Sequence, residues 1–147
     1  MKKKVLSTIG ILFISLLSTV AFTSCDKDPW CYLDVTVLDS RNNNVPASGA
    51  WVKVQYVKTN EADPQNNVVG TISDTGQCNV NGVYSTKFAA PAIFTVTARI
   101  HEPDTLNNKY YYREGERSVR LKPGEIVTTT VKVTGEKTLG RADFKDI

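Results

Sequence analysis

A single histidine limits what this chain of 147 residues can ligate or catalyse. His101-Glu102-Pro103-Asp104 puts an imidazole beside two carboxylates, the side-chain types of an acid–base pair or a metal site. A structural or catalytic zinc needs several His, Cys or carboxylate ligands. His101 has no second His and no paired Cys to join it, so the stretch reads as a solvated loop. Asp63, Asn66, Asn67 and Asp74 carry oxygens suited to calcium, but their spacing departs from that of a calcium loop such as the EF-hand. Serines near the turns lack a base and an orienting carboxylate, and no Gly-x-Ser-x-Gly elbow occurs. Nothing selects a carboxylate pair for glycoside chemistry. The expectation is therefore no catalytic residue, no metal and no cofactor.

Two other groupings stand out. Tyr110-Tyr111-Tyr112 beside Arg113 would place Tyr110 and Tyr112 on one face of a strand and Tyr111 on the other. Aromatic faces flanked by an arginine suit a sugar or a peptide, and they equally suit core and cross-strand packing. Cys31 and Cys78 are the two thiols beyond Cys25. In an exported protein they can bridge, closing a loop of about 47 residues worth about 3–4 kcal/mol, or remain two unpaired thiols.

Charge narrows the class of partner. The chain carries 18 Lys and Arg against 15 Asp and Glu, a formal net charge of +3. Lys2, Lys3 and Lys4 account for the whole excess, so the part after Ser24 is neutral. No surplus of cations remains to neutralise a phosphate backbone, and a nucleic-acid partner is not expected.

Those three lysines open the strongest sequence signal. Met1 to Lys4 is a positive segment, and Val5 to Phe22 is apolar, with Ile9, Ile11, Leu12, Phe13, Ile14, Leu16 and Leu17. Ser7, Thr8, Gly10, Ser15, Ser18 and Thr19 interrupt it, and its length is near the lower limit for a spanning helix. This is the pattern of a secretion signal, residues 1–24. Ala21-Phe22-Thr23-Ser24-Cys25 resembles a lipobox, with Phe22 where Leu is usual. The resemblance implies cleavage between Ser24 and Cys25 and lipidation of Cys25 by diacylglycerol and a further acyl chain such as palmitate. Asp26-Lys27-Asp28 resembles the surface-export signal of lipoproteins in one large group of gut and oral Gram-negative bacteria. An Asp directly after the lipidated Cys also resembles the inner-membrane retention signal of enteric bacteria. The outer membrane is the expected address, on its surface or its periplasmic face.

Residues 25–30 form a short acidic tether, and period-two alternation begins at Cys31. Cys31, Leu33, Val35 and Val37 alternate with Tyr32, Asp34 and Thr36, as a half-buried strand requires. Asp39 to Asn44 is turn-forming. Further strands are expected over 50–58, 68–73, 83–88, 93–100, 109–113, 118–121 and 126–133. Turns are expected at Asp74-Thr75-Gly76, Asn81-Gly82 and Pro123-Gly124, and loops over 59–67 and 102–108. Residues 31–134 thus read as one all-β domain, a seven- to eight-stranded antiparallel β-sandwich of Ig-like kind. Residues 135–147 read as a charged tail without periodicity.

Within the domain, Val35-Thr36-Val37, Val45-Pro46 and Gly49-Ala50-Trp51-Val52-Lys53-Val54 resemble the opening of transthyretin-like and carboxypeptidase-regulatory-like domains. Asn81-Gly82-Val83-Tyr84 with Phe88, Pro91 to Val96, and Val119-Arg120-Leu121-Lys122-Pro123-Gly124-Glu125 resemble their later segments. The resemblance spans residues 33–133 and implies a noncatalytic module; with the lipobox and the missing catalytic set, the expectation is a membrane-anchored module that presents loops or a strand edge to a protein or glycan partner. Fimbrial lipoprotein precursors share such sandwiches, which makes a structural subunit of a surface assembly the alternative. The tail is a poor donor strand, because Arg141, Asp143, Lys145 and Asp146 interrupt any apolar alternation. An enzyme is the least expected reading.

Overall fold

The structure, a computed structural model, describes residues 28–59 and 68–144. Among these, nine strands form two sheets and no helix occurs: β1 (Cys31–Asp39), β2 (Val45–Pro46), β3 (Trp51–Thr59), β4 (Val68–Gln77), β5 (Val83–Phe88), β6 (Ile93–Asp104), β7 (Lys109–Arg120), β8 (Ile126–Val133) and β9 (Thr138–Leu139). In the smaller sheet β1 is central, with β5 and β2 in turn along one edge and β8 along the other. The larger sheet runs β4-β3-β6-β7-β9. The protein is an all-β sandwich.

Alternation along the strands explains which faces meet. Cys31, Leu33, Val35 and Val37 of β1, with Val131 and Val133 of the neighbouring β8, point inward against Val52 and Val54 of β3 and Phe94, Val96 and Ala98 of β6. Phe88 and Phe94 stack with ring centroids 4.3 Å apart, joining the two sheets near the Cys31 end of β1. Every pairing is antiparallel except one: β8 lies parallel to β1, Tyr32 beside Ile126 through Asp39 beside Val133. A wholly antiparallel sandwich was expected; the long return from β1 to β8 permits the parallel pair.

Other expectations change in detail. Asp74-Thr75-Gly76 is no turn but the continuation of β4, paired in turn with Val54, Lys53 and Val52 of β3. Residues 109–120 form one strand where two were expected, because β6 runs on through Asp104 and pairs with all of them. The Asn81-Gly82 turn is present. Gly82 has φ +71°, and a Cβ there would lie 2.9 Å from both the Ala47 nitrogen and Pro46 Cβ. Asn79 accepts hydrogen bonds from the Asn81 and Val83 amides and closes that turn.

The tail is not outside the sandwich. Thr138 and Leu139 pair with Tyr112 and Tyr111, extending the larger sheet, and Ala142 is buried. At the tether, the Gly124 amide donates to Trp30 O and the Trp30 amide to Asp28 Oδ1, so the chain is held from Asp28 onward.

Candidate functional site

The tyrosine-rich start of β7 is divided by the sheet into two faces. Arg113 follows Tyr111 onto the inner face and is 3% exposed, so it is no part of a binding surface. Its guanidinium donates to Asp39 Oδ2 and Oδ1 at 2.8 and 2.9 Å and to Val133 O, and it also pairs with Glu102. Lys137 approaches Glu102 at 3.0 Å from the other side. Hydrogen bonding to Arg113 holds the Asp39 carboxyl below the usual carboxylate range. Burial would raise Glu102, but its bonds to Arg113 and Lys137 outweigh that and lower it. These groups tie β7 of one sheet to β1 of the other.

The outer face of the same sheet is where an aromatic site forms. Tyr110 and Tyr112 point outward, with Tyr111 on the opposite side under Lys137. Tyr110 is 54% exposed and stacks on His101 of β6, centroids 5.5 Å apart and planes 25° apart. Tyr112 is half-buried beneath Arg99 of β6, whose guanidinium lies 4.2 Å from its ring centroid. Phe144 covers the other aromatic contact of that guanidinium at 4.1 Å, and Glu114 bonds it at 2.6 Å. Arg99 therefore fastens the C-terminal segment across the sheet.

This strap creates a cleft. Arg141, Ala142 and Asp143 form one wall, and Trp51, His101 and Tyr110 complete a cavity of about 450 Å³. On the far side of the strap, Trp51 also lines a second hollow of about 390 Å³ with Lys53, Ser73, Thr75 and Phe144. An open cleft with aromatic rings and charged groups at its edge can bind a ring-shaped polar ligand.

Trp51 and residues 141–144 escaped the sequence reading. Trp51 belongs to a strand whose alternation marks Val52 and Val54 as core, which leaves its own ring on the outer face, and that was the available signal. The tail segment has no periodicity to reveal its course.

His101 and Glu102 sit on opposite faces of β6, and Asp104 caps the following turn by accepting from the Leu106 and Asn107 amides and Asn107 Nδ2. Among the described residues no three His, Cys, Asp or Glu side chains converge on a metal position. Asp74 faces inward, accepting hydrogen bonds from the Tyr84 hydroxyl at 2.7 Å and from Thr86. Burial, then hydrogen bonding to Asp74, pushes the Tyr84 hydroxyl pKa up.

Cys31 and Cys78 are both free and buried. The Cys78 amide donates to Ala50 O, and Ala47 next to it bonds Val37, so Cys78 lies toward the Asp39 end of β1 while Cys31 begins it. Six strand residues at about 3.3 Å each separate those ends, far beyond the ~7 Å that a disulfide spans. The bridge weighed from the sequence is not formed. Burial pushes the Cys78 thiol up to about 11 and raises Cys31 as well.

The signal segment with Ser24 and Cys25, and Asp63, Asn66 and Asn67, lie outside the described residues. Comparison with known protein families, curated proteins and solved structures finds no match for this chain.

Proposed function

We propose that this chain is a lipid-anchored, noncatalytic lipoprotein of the outer membrane whose β-sandwich binds a glycan, or failing that a protein, in the cleft beside the C-terminal strap. The observation that carries the reading is the grouping of Trp51, His101 and Tyr110 against Arg141 and Asp143. Aromatic faces accept the C–H face of a sugar ring, and charged groups at the rim bond its hydroxyls. Anchoring rests on the lipobox-like Ala21 to Cys25. Two or more acyl chains would hold the protein firmly, since each buried CH₂ is worth ~0.8 kcal/mol and one chain alone is marginal. The proposed resemblance to transthyretin-like and carboxypeptidase-regulatory-like modules rests on the sequence motifs of residues 33–133 alone.

The test is a screen of the full chain, extracted in detergent, against an array of bacterial and host glycans. Binding that is lost in Trp51→Ala and in Tyr110→Ala supports the reading. Binding that survives both variants, or capture of a protein partner with no glycan bound, overturns the glycan assignment.

One observation favours a second reading, a subunit of a surface assembly. β4 has β3 as its single paired neighbour over ten residues, leaving an open edge for strand addition among the described residues. Detergent-resistant ladders on a gel would support it.

A further inference from the structure

The two ends of the sandwich differ in what they expose. At the Cys31 end, β1 begins, β5 and β7 finish, and β6 and β8 start. Each sheet leaves an isoleucine on its outer rim there. Ile126 of β8, 69% exposed, lies beside Tyr32 in the smaller sheet, and Lys87 of β5 lies on the other side of Tyr32. Trp30, 38% exposed, stands next to them with Lys87 Nζ 4.7 Å from its ring centroid. In the larger sheet Ile93, 52% exposed, pairs with Arg120. The segment 121–125 joins the two rims, carrying Lys122 and Glu125, and is bonded to Trp30 O through the Gly124 amide. β3 ends and β4 begins on this side too.

From this placement we infer that the Cys31 end is a membrane-contacting foot, with Trp30, Ile93 and Ile126 seated in the lipid headgroup layer and Lys87, Arg120 and Lys122 at the phosphates. The inference rests on the proposed acylation of Cys25. Only Asp26 and Lys27 separate Cys25 from Asp28, the first residue held by the fold. Three extended steps reach about 10 Å, little more than the headgroup layer of one leaflet. The domain end bearing Trp30 is thus brought to the bilayer whether or not it interacts, and its residue types decide that it does. Tryptophan and tyrosine favour the interface, apolar side chains enter it by several ångströms, and basic groups meet the phosphates. Exposed apolar residues at the opposite end are spread over separate elements, Val80 and Leu106 on turns, Val45 on β2 and Leu139 on β9. The foot also orients the molecule. His101 lies eight residues beyond Ile93 on β6, so the aromatic cleft is carried roughly 25 Å away from the membrane surface.

The chain contains two tryptophans, one at each end, which makes the arrangement measurable. The acylated full chain would be reconstituted into vesicles of phosphatidylethanolamine and phosphatidylglycerol, with and without bromine on the acyl chains near the headgroup. Trp51→Phe leaves Trp30 as reporter, and Trp30→Phe leaves Trp51. Brominated lipid should quench most of the Trp30 emission and leave Trp51 unchanged. Ile93→Glu with Ile126→Glu, both at exposed positions, should restore Trp30 emission while the protein still floats with the vesicles. A second reporter, Ile93→Trp in a chain lacking both native tryptophans, should be quenched as Trp30 is. If Trp30 stays quenched in the double glutamate variant, or Ile93→Trp is not quenched, the tether alone holds the chain and the foot is overturned. A protein that carries no acyl mass and does not float removes the anchor itself, a separate failure read before any fluorescence.

Discussion

Both carboxylate oxygens of Asp39, at the end of β1, receive the guanidinium of Arg113 from β7 on the opposite sheet, at 2.8 and 2.9 Å. A bidentate pair of this kind is directional as well as strong. It sits where the Asp39 end of the core meets β8, with Glu102 and Lys137 completing a chain of alternating charges.

Removing the cation leaves two carboxylates facing each other with little water. Arg113→Met should destabilise the fold by about 2–4 kcal/mol, somewhat below the cost for a fully buried pair because Asp39 and Glu102 keep partial contact with solvent. Denaturant midpoints would show it. Adding Asp39→Asn and Glu102→Gln to Arg113→Met should recover part of the loss; no recovery would mean that packing, not charge, was at stake.

The same network sets an acid limit. The folded pKa values of Asp39 and Glu102 lie below their unfolded values. Their contribution is complete above the unfolded pKa of about 4 and is lost as pH falls through the lower folded values. The midpoint of unfolding should therefore hold steady from pH 7 to about 5 and fall below about 4. In Arg113→Met that decline should be shallower, and an equal decline in both proteins would contradict the assignment.

Thiol chemistry provides a third check. At pH 8 the native protein should react with a thiol reagent slowly or not at all at Cys31 and Cys78, since both are buried and their pKa values are raised. Unfolding without reductant should release two reactive thiols. Thiols that appear only after reduction would mean a disulfide that this fold does not hold. Because burial lifts Cys78 to about 11, its neutral form stabilises the fold below about pH 9, and that contribution fades as pH rises toward 11.

Gly115 tests how closely the sheets approach at the β7–β8 edge. A Cβ there would lie 2.3 Å from the Lys132 carbonyl oxygen and 2.9 Å from its carbon, both backbone atoms that cannot swing away. Gly115→Val should cost about 2 kcal/mol or more and lower the thermal midpoint by roughly 8 °C or more. An unchanged midpoint would mean that the edges stand further apart.

Much of this architecture was legible in local pattern. Cys31, Leu33, Val35 and Val37 announce both a strand and its inner face, and so do Phe94, Val96 and Ala98, because alternate side chains of a strand point opposite ways regardless of partner. Asn81-Gly82 announces its turn through a backbone angle that glycine adopts without strain. What the residues could not announce is which strand lies beside which. Asp74-Thr75-Gly76 reads as a turn until β3 supplies a partner for each residue, and Gly76 serves instead to admit the Tyr84 ring, which a Cβ would meet at 2.5 Å.

Arg113 illustrates the same division. Its neighbours in sequence mark it as part of an aromatic, sugar-facing cluster, yet strand parity sends it inward to a carboxylate seventy-four residues away. Trp51, His101 and Tyr110 meet only because β3, β6 and β7 lie in one sheet, and the strap that walls their cleft has no periodicity at all. Strand identity and facing are written between neighbouring residues. Pairing, the parallel return of β8 and the cleft depend on surfaces from distant segments burying one another, and only the folded chain brings those together.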